Sequence, residues 1–263
     1  SFMGSAYVFP GGRLDQADMD PELAAYSEGL TAEEVVTRLN EPDLAHDIAL
    51  GLLYAAIRET FEEAGVLLAV TASGKTLDFK DPETGSRFHA FRQKIHDQEM
   101  TLKDLAEKEG LRFTLDLLTP YSHWITPEVE SKRFDTRFLL ARMPRKQVPI
   151  HDSIEMTESL WISPRNALAG FEAGEILLMP PTYKNIEELA EFSSLDQLFS
   201  AAEVSEIYSI LPQNVSGPDS VILRLPTDPE YSIEGYKQPP RPEEKTRIVI
   251  INGKWRTMRF DEG

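Results

Sequence analysis

Three glutamates and one arginine lie within a single short stretch of the chain, and their types and spacing favour chemistry on phosphate groups. Residues 58–66 read Arg-Glu-Thr-Phe-Glu-Glu-Ala-Gly-Val. Residues three and four positions apart are neighbours on a helix, so Glu59, Glu62 and Glu63 would crowd one edge and repel one another. A hard cation such as Mg²⁺ or Mn²⁺ removes that repulsion, because it prefers carboxylate oxygens and keeps other positions for water and phosphate oxygens. The segment therefore predicts a divalent-metal site for cleaving a diphosphate.

The arginine and the glycine of this segment each have a predicted task. The planar guanidinium of Arg58 can hold one carboxylate in a two-pronged contact and fix its orientation. Gly65 is expected to end the helix, because glycine adopts the left-handed conformation most easily. The alternative is an acidic helix face exposed to solvent, which is the usual role of glutamate-rich stretches. Chance disfavours that alternative, since the five fixed positions rarely coincide at average residue usage.

The same residues resemble the second half of the signature of the Nudix hydrolase family, Arg-Glu-x-x-Glu-Glu-x-Gly with a bulky apolar residue after the first glutamate. Thr60 takes that apolar position here. The first half resembles residues 7–18, which read Tyr-Val-Phe-Pro-Gly-Gly-Arg-Leu-Asp-Gln-Ala-Asp. Asp18 stands where the family has Glu, and a much longer stretch than the family pattern allows separates Asp18 from Arg58. Apart from Thr60, Asp18 and the long separation, the motif matches the family signature.

A long insertion at this point is similar to the family branch that hydrolyses coenzyme A and acyl-coenzyme A. Four later segments also resemble that branch, at residues 124–127, 133–138, 161–164 and 179–182. The resemblance implies hydrolysis of coenzyme A or acyl-coenzyme A to 3′,5′-ADP and (acyl-)phosphopantetheine, with Mg²⁺ or Mn²⁺ as cofactor. It implies that the catalytic residues are Arg58, Glu59, Glu62 and Glu63, of which the three glutamates bind the metal.

Two alternatives to this activity stay open. The same chemistry could act on ADP-ribose, a dinucleotide or another nucleoside diphosphate derivative, or the chain could be a non-catalytic Nudix-fold binding module. The general base is also open, with Glu62, Glu155 and Glu158 as candidates.

The charge of the chain bears on its substrate. A formal net charge of −17 argues against a nucleic-acid partner, since such proteins usually present a basic face. Coenzyme A is polyanionic, so it would need a local cationic pocket. Gly11 and Gly12 allow the backbone to approach a ligand closely, and Arg13 beside them is the first candidate for a phosphate contact. Arg133 and Arg137 would share one face of a strand and are further candidates, unless they only decorate an exposed sheet.

The composition predicts a folded enzyme. The chain has 263 residues, of which 41% are hydrophobic and 27% are charged, enough for one large core or for a core plus a small subdomain. The absence of cysteine excludes disulfides and thiolate metal sites. No apolar run approaches the ~20 residues of a membrane span. Without a leader or a peroxisomal tripeptide, we expect a cytoplasmic protein with a small-molecule substrate and no membrane partner. The histidines lack metal-ligand spacing and are expected to be structural or on the surface; they are His46, His89, His96, His123 and His151.

The remaining patterns predict an α/β protein, and the resemblance implies a Nudix-type α/β/α sandwich with a mixed sheet and a helical insertion. We expect one domain over residues 1–263, with insertions at about 19–43 and 71–118. The metal helix should begin near Asp43 or Leu44, and a capping box at Thr31 predicts an earlier helix. Further helices are expected at 87–110, in two pieces broken near 98–101, and then from 163, from 181 and at 195–202. Strands are expected at 6–9, 66–70, 120–126, 134–142, 158–162, 221–225 and 246–260, with a loop at 71–86 and a hairpin turn at Asn252-Gly253.

Overall fold

A computed structural model describes residues 6–147, 160–217 and 220–262 of the chain. Within these ranges the α-helices are α1 (Ala32–Leu39), α2 (His46–Ala64), α3 (Pro82–His96), α4 (Leu102–Glu109), α5 (Pro164–Ala173), α6 (Pro180–Leu189) and α7 (Leu195–Val204). The strands are β1 (Ala6–Tyr7), β2 (Ser27–Glu28), β3 (Ala69–Thr71), β4 (Leu111–Thr114), β5 (Leu118–Ile125), β6 (Asp135–Ala141), β7 (Leu177–Leu178), β8 (Ser209–Ile210), β9 (Gln213–Asn214), β10 (Ile222–Arg224), β11 (Arg247–Ile251) and β12 (Lys254–Met258). Short 3-10 helices cover Gln16–Met19, Pro21–Tyr26, Leu115–Leu117 and Phe260–Glu262. The chain is therefore an α/β protein, as predicted.

The chain forms two compact units. The helical unit contains Pro10–Pro120 and Leu139–Trp161, and the terminal unit contains Ser1–Phe9, Tyr121–Phe138 and Ile162–Gly263. The single domain with two insertions stays a prediction. No helix in the described part of the chain is long and apolar enough to cross a membrane.

Helix α2 organises the core of the helical unit. Its buried apolar residues recur at helical spacing and include Leu53, Ile57 and Phe61. The helix packs against α1, α3 and the 3-10 helix Gln16–Met19. A Cβ atom added at Gly51 would lie 2.9 Å from the side chains of Leu14 and Met19, so the absence of a side chain there lets the 3-10 helix sit directly on α2.

The ends of the first two helices follow local sequence signals. Thr31 accepts a hydrogen bond from the backbone of Glu34, and the Glu34 carboxylate accepts one from the backbone of Thr31, which is the predicted capping box. Helix α2 ends at Gly65 with φ 68°, as predicted. It begins at His46, slightly later than expected, and Ala45 before it supplies no capping side chain.

The predicted loop at 71–86 is wrong for residues 82–86, which form the start of α3. Asp81 caps this helix by accepting a hydrogen bond from the backbone of Thr84, with Pro82 in the first turn. Phe88 and Ile95 are buried on the inner face, as expected. The predicted break in the helical region is confirmed by the gap between α3 and α4, and Gly110 ends α4 with φ 62°.

The strand expected at 66–70 is observed as the shorter and later β3, Ala69–Thr71. It begins late because the backbone of Leu67 pairs with a side chain instead of a neighbouring strand. The backbone N–H of Leu67 donates to Oε1 of Gln147 at 2.8 Å, and Nε2 of Gln147 donates to the Leu67 carbonyl at 2.8 Å. Strand β3 follows and pairs antiparallel with β4, which pairs parallel with β2 on its other side. The sheet is therefore mixed.

In its described residues, the terminal unit contains short sheets and the helices α5, α6 and α7. Strands β12, β11, β10 and β9 form an antiparallel sheet, β1 pairs parallel with β7, and β8 pairs parallel with β5, which neighbours β6. Asn252 and Gly253 have φ values of 53° and 76° in the predicted hairpin turn between β11 and β12. Helices α5 to α7 confirm the expected starts to within one residue. The strand expected at 158–162 is wrong for residues 160–162, which lie outside any strand, and its first two residues are outside the described ranges.

Candidate active site

Arg58 joins the acidic residues of both halves of the motif in the helical unit. Its Nε and Nη2 donate to Oδ1 and Oδ2 of Asp18 at 3.0 and 2.8 Å, so the two-pronged contact is made with Asp18 and not, as expected, with one of the three glutamates. Its Nη1 donates to Oε1 of Glu59 at 2.7 Å and to Oε1 of Glu62 at 3.2 Å. Its Nη2 also donates to the backbone carbonyl of Arg13 at 2.8 Å. One guanidinium thus donates hydrogen bonds to three carboxylates and to the backbone beside the glycine turn.

The electrostatics of this cluster follow from its burial. Desolvation raises the pKa of Glu59 and of Glu62 above the usual value, and the opposing attraction of Arg58 does not cancel the increase. Desolvation alone would lower the pKa of Arg58, but the hydrogen bonds and charges of Asp18 and Glu59 outweigh it, so the pKa is raised. Burial therefore opposes the charged form of both glutamates, and Arg58 offsets only part of that cost.

The turn at Gly11 and Gly12 lies against the same carboxylates. The backbone N–H of Gly11 donates to Oε2 of Glu63 at 3.0 Å. A Cβ atom added at Gly12 would lie 2.1 Å from Oε1 of Glu59, closer than any real contact. Only glycine fits at position 12 with Glu59 in this place, which explains the second glycine of the motif.

The donor chemistry of these glutamates fits a divalent cation, although they do not converge on one point. Among the residues that the structure describes, no three His, Asp or Glu side chains stand close enough to hold an ion as a group. Arg58 contacts Glu59 and Glu62, while Glu63 contacts the glycine turn. Carboxylate oxygens are the ligands that Mg²⁺ and Mn²⁺ prefer, and a cation would relieve the cost of burying Glu59 and Glu62. Binding would require these side chains to turn from their present partners.

The cationic candidates occupy both units. Arg13 has an exposed side chain and lies in the helical unit beside the carboxylate cluster. Arg133 and Arg137 lie in the terminal unit. Arg133 is exposed and donates to the Thr126 carbonyl at 3.0 Å. Arg137 lies 2.9 Å from the Asp135 carboxylate.

Two histidines have contacts that their spacing did not predict. His96 on α3 places Nδ1 3.9 Å from Oε2 of Glu62. His123 is buried in the terminal unit, with Nε2 2.5 Å from Oδ1 of Asp135 and Nδ1 3.0 Å from Oγ of Ser209. The neighbouring Trp124 is buried in an apolar cluster, as expected for a core residue.

Sequence patterns also missed Arg92 on α3, which contacts the backbone of the glutamate segment. The signal available in the sequence was an arginine at helical spacing from the apolar residues Phe88 and Ile95. His151 and the general-base candidates Glu155 and Glu158 lie outside the described residues.

The chain is similar in sequence and in fold to known proteins. Residues 34–189 match the family model of the NUDT19 Nudix domain. The chain is 30% identical to acyl-coenzyme A diphosphatase NUDT19 of Gallus gallus, over 88% of this chain and 69% of that protein. It is 28% identical to the Homo sapiens protein of the same name, over 96% and 76% of the two chains. The crystal structure of a Nudix hydrolase from Alicyclobacillus acidocaldarius is similar in fold, with a TM-score of 0.61 and 24% identity over 78% of this chain and 85% of that chain.

The fold and the glutamate helix set against a glycine turn define an enzyme that hydrolyses diphosphate linkages, a Nudix diphosphohydrolase. Enzymes of this class generally use divalent metals. The chain belongs to the NUDT19 Nudix family. The alternative of a non-catalytic binding module is therefore set aside.

Proposed function

We propose that this enzyme hydrolyses coenzyme A or acyl-coenzyme A to 3′,5′-ADP and (acyl-)phosphopantetheine, and that it depends on Mg²⁺ or Mn²⁺ held by Glu59, Glu62 and Glu63. The observation that carries the proposal is the contact of one arginine with three carboxylates beside the Gly11-Gly12 turn. The names of the relatives from Gallus gallus and Homo sapiens support the substrate class.

Each residue of the site has a proposed task. Arg58 orients Glu59 and Glu62 and connects them to Asp18 across the motif. The Gly11 N–H orients Glu63. A bound divalent cation supplies charge neutralisation at the diphosphate and lowers the pKa of a water molecule. The general base stays open between Glu62 and the two glutamates at positions 155 and 158.

Arg13 is the proposed contact for a substrate phosphate in the helical unit. Its backbone carbonyl accepts a hydrogen bond from Arg58, which fixes this position beside the glutamates while the Arg13 side chain remains exposed. The net charge of −17 repels a polyanionic substrate, so a cation beside the site is needed to offset that repulsion. Arg133 and Arg137 are the proposed contacts in the terminal unit.

A substrate panel tests the proposal. The enzyme is incubated with Mg²⁺ or Mn²⁺ and with coenzyme A, dephospho-coenzyme A, acyl-coenzyme A, ADP-ribose or NADH, and the products are separated by chromatography. We expect coenzyme A to be cleaved at least about ten-fold faster than its dephospho form, because one charge-assisted contact to the 3′-phosphate supplies about 1.4 kcal/mol. Equal rates would show that the 3′-phosphate is not recognised. Faster cleavage of ADP-ribose would favour a nucleoside diphosphate derivative as the substrate.

Matched variants test the residues. Arg13→Gln should reduce the preference for coenzyme A over dephospho-coenzyme A, whereas Arg112→Gln, which removes an exposed arginine on β4, should leave it unchanged. Glu63→Gln should lower turnover by a factor of roughly a hundred or more, since it removes the charge of a metal ligand without touching the core. Glu99→Gln, at an exposed position after α3, is the control for loss of a surface carboxylate. Near-normal turnover in Glu63→Gln would remove Glu63 from the metal site.

A further inference from the structure

At the C-terminal end of helix α2, the last backbone carbonyls receive no hydrogen bond from an N–H of the same helix. The N–H of Gly65 donates to the Phe61 carbonyl at 3.0 Å, and the N–H of Val66 donates to the Thr60 carbonyl at 3.3 Å. The carbonyls of Glu62 and Glu63 come next in the chain and need partners from elsewhere, because a buried carbonyl without one is costly.

Arg92 supplies these partners from helix α3. Its Nε donates to the Glu62 carbonyl at 2.7 Å, and its Nη2 donates to the Glu63 carbonyl at 3.0 Å. The side chain is only 4% exposed, so the guanidinium is held within the protein and not at its surface. Its positive charge also lies at the negative end of the α2 dipole, which is the favourable sign.

We infer that Arg92 is a positioning residue for the metal-binding carboxylates and acts on them through the last turn of α2. Fixing two consecutive carbonyls fixes the rotation and axial position of that turn, and with them the directions in which the side chains of Glu62 and Glu63 leave the backbone. The inference rests on the proposed function, since it assumes that these glutamates hold a metal. It also assigns a task to the predicted insertion at 71–118, which contains Arg92.

Contact with both carbonyls requires two nitrogens in the fixed planar arrangement of a guanidinium. A lysine at position 92 keeps the charge but offers one nitrogen, which cannot reach two carbonyls along two fixed directions as the guanidinium does. Mg²⁺ demands near-ideal octahedral geometry, so a small rotation of the turn is expected to weaken metal binding.

The test measures Mn²⁺ binding to the whole chain without substrate, by electron paramagnetic resonance, and thermal melting of the same samples. Arg92→Lys should raise the Kd for Mn²⁺ about ten-fold, the usual effect of removing a group that orients metal ligands. Arg87→Lys is the matched control on the same helix, because Arg87 is partly exposed and contacts the Glu109 carboxylate. Its Mn²⁺ affinity should equal that of the unmodified chain.

A second control separates positioning from simple loss of stability. Phe88→Leu loosens the packing of α3, since Phe88 is buried against the rings of Phe79 and Phe91. It should lower the melting temperature while leaving the Kd for Mn²⁺ nearly unchanged. Mn²⁺ affinities that fall in parallel with melting temperature in Arg92→Lys and Phe88→Leu would overturn the inference. Normal affinity in Arg92→Lys would do the same.

The outcomes distinguish this inference from the proposed function. If the unmodified chain does not bind Mn²⁺, or if Glu63→Gln binds it equally well, the metal site itself is wrong. If Glu63→Gln loses binding and Arg92→Lys does not, only the role of Arg92 is wrong. Should Arg92→Lys fail to fold, Arg92→Gln, which keeps one amide donor, replaces it in the comparison. Failure of both variants to fold would assign Arg92 to the stability of the fold and overturn the inference.

Discussion

Arg58 and Asp18 lie 40 positions apart in the chain and form a two-pronged ion pair, with Nε to Oδ1 at 3.0 Å and Nη2 to Oδ2 at 2.8 Å. Asp18 is only 2% exposed, and its Oδ2 also accepts a hydrogen bond from the Asp15 N–H at 2.9 Å. This pair connects the 3-10 helix Gln16–Met19 to the glutamate helix. The Asp18 carboxylate therefore holds the 3-10 helix against α2, by accepting hydrogen bonds from Arg58 and from the backbone of Asp15.

The first prediction concerns Arg58→Lys. A lysine ammonium keeps the charge but cannot contact both oxygens of Asp18 while also holding Glu59, because it lacks the planar fork. We expect kcat to fall about ten-fold or more, with the loss increasing at low metal concentration. Steady-state kinetics across a Mg²⁺ titration measure this. The control is Arg38→Lys on α1, which should behave like the unmodified enzyme, and an unaffected Arg58→Lys variant would make Arg58 an ordinary helix residue.

The two adjacent glycines allow a matched comparison. Gly12→Ala places a Cβ where Oε1 of Glu59 stands, at 2.1 Å, so the carboxylate must move. Gly11→Ala meets nothing within 4 Å and keeps its backbone N–H for Glu63. We expect Gly12→Ala to lose activity by about ten-fold or more and Gly11→Ala to retain most of it, as measured by kcat/KM with the preferred substrate. Similar activities in the two variants would contradict the proposed place of Glu59 in the site.

The sequence predicted those features that depend on near neighbours in the chain. The glutamate helix with its end at Gly65, the capping box at Thr31 and the turn at Asn252-Gly253 all arise from residues within a few positions of one another. A two-pronged contact of Arg58 was also predicted, but with one of the neighbouring glutamates. It is made with Asp18 instead, which comes from a distant part of the chain.

Features that depend on long-range packing escaped prediction. The amide of Gln147 takes the place of a neighbouring strand beside Leu67, so β3 begins later than its apolar pattern indicates. Arg92 is charged yet buried, because it meets the open carbonyls of another helix. Neither pairing leaves a periodic signal in one sequence.

The third prediction is that Gln147→Leu destabilises the fold. Both hydrogen bonds to the backbone of Leu67 would be lost. Leu67 is fully buried, so its N–H would have neither a partner nor water, whereas its carbonyl would keep the hydrogen bond from the Ala69 N–H at 3.0 Å. We expect the free energy of unfolding to fall by about 1–3 kcal/mol, measured by urea denaturation. Gln93→Leu, whose amide contacts only an exposed Asp97 carboxylate, is the control and should change stability little. A Gln147→Leu variant as stable as the unmodified chain would show that these backbone groups find other partners.

An ion pair in the terminal unit gives a pH-dependent prediction. Asp228 is fully buried, and its Oδ2 accepts hydrogen bonds from Nε of Arg247 at 2.9 Å and from Oγ1 of Thr246 at 2.8 Å. Burial alone would raise the pKa of Asp228, but these partners and the N–H of Glu230 outweigh it, so the pKa lies below its usual value. Because the folded pKa is depressed, the pair contributes stability above the unfolded pKa of about 3.9. That contribution is lost as the pH falls through the folded pKa.

The fourth prediction is that Asp228→Asn lowers the free energy of unfolding by about 3 kcal/mol at neutral pH, because it removes the buried charge that Arg247 contacts and leaves its Nη2 on the half-exposed Glu230 carboxylate at 2.9 Å. The difference between the variant and the unmodified chain should shrink as the pH falls from about 3.9 through the lower folded pKa, since the unfolded chain then binds a proton that the folded Asp228 carboxylate does not. Urea denaturation at a series of pH values measures both curves. Asp261→Asn removes an exposed carboxylate near Arg259 and should give a curve parallel to that of the unmodified chain. A difference for Asp228→Asn that stays constant down to low pH would show that the Asp228 charge does not stabilise the fold.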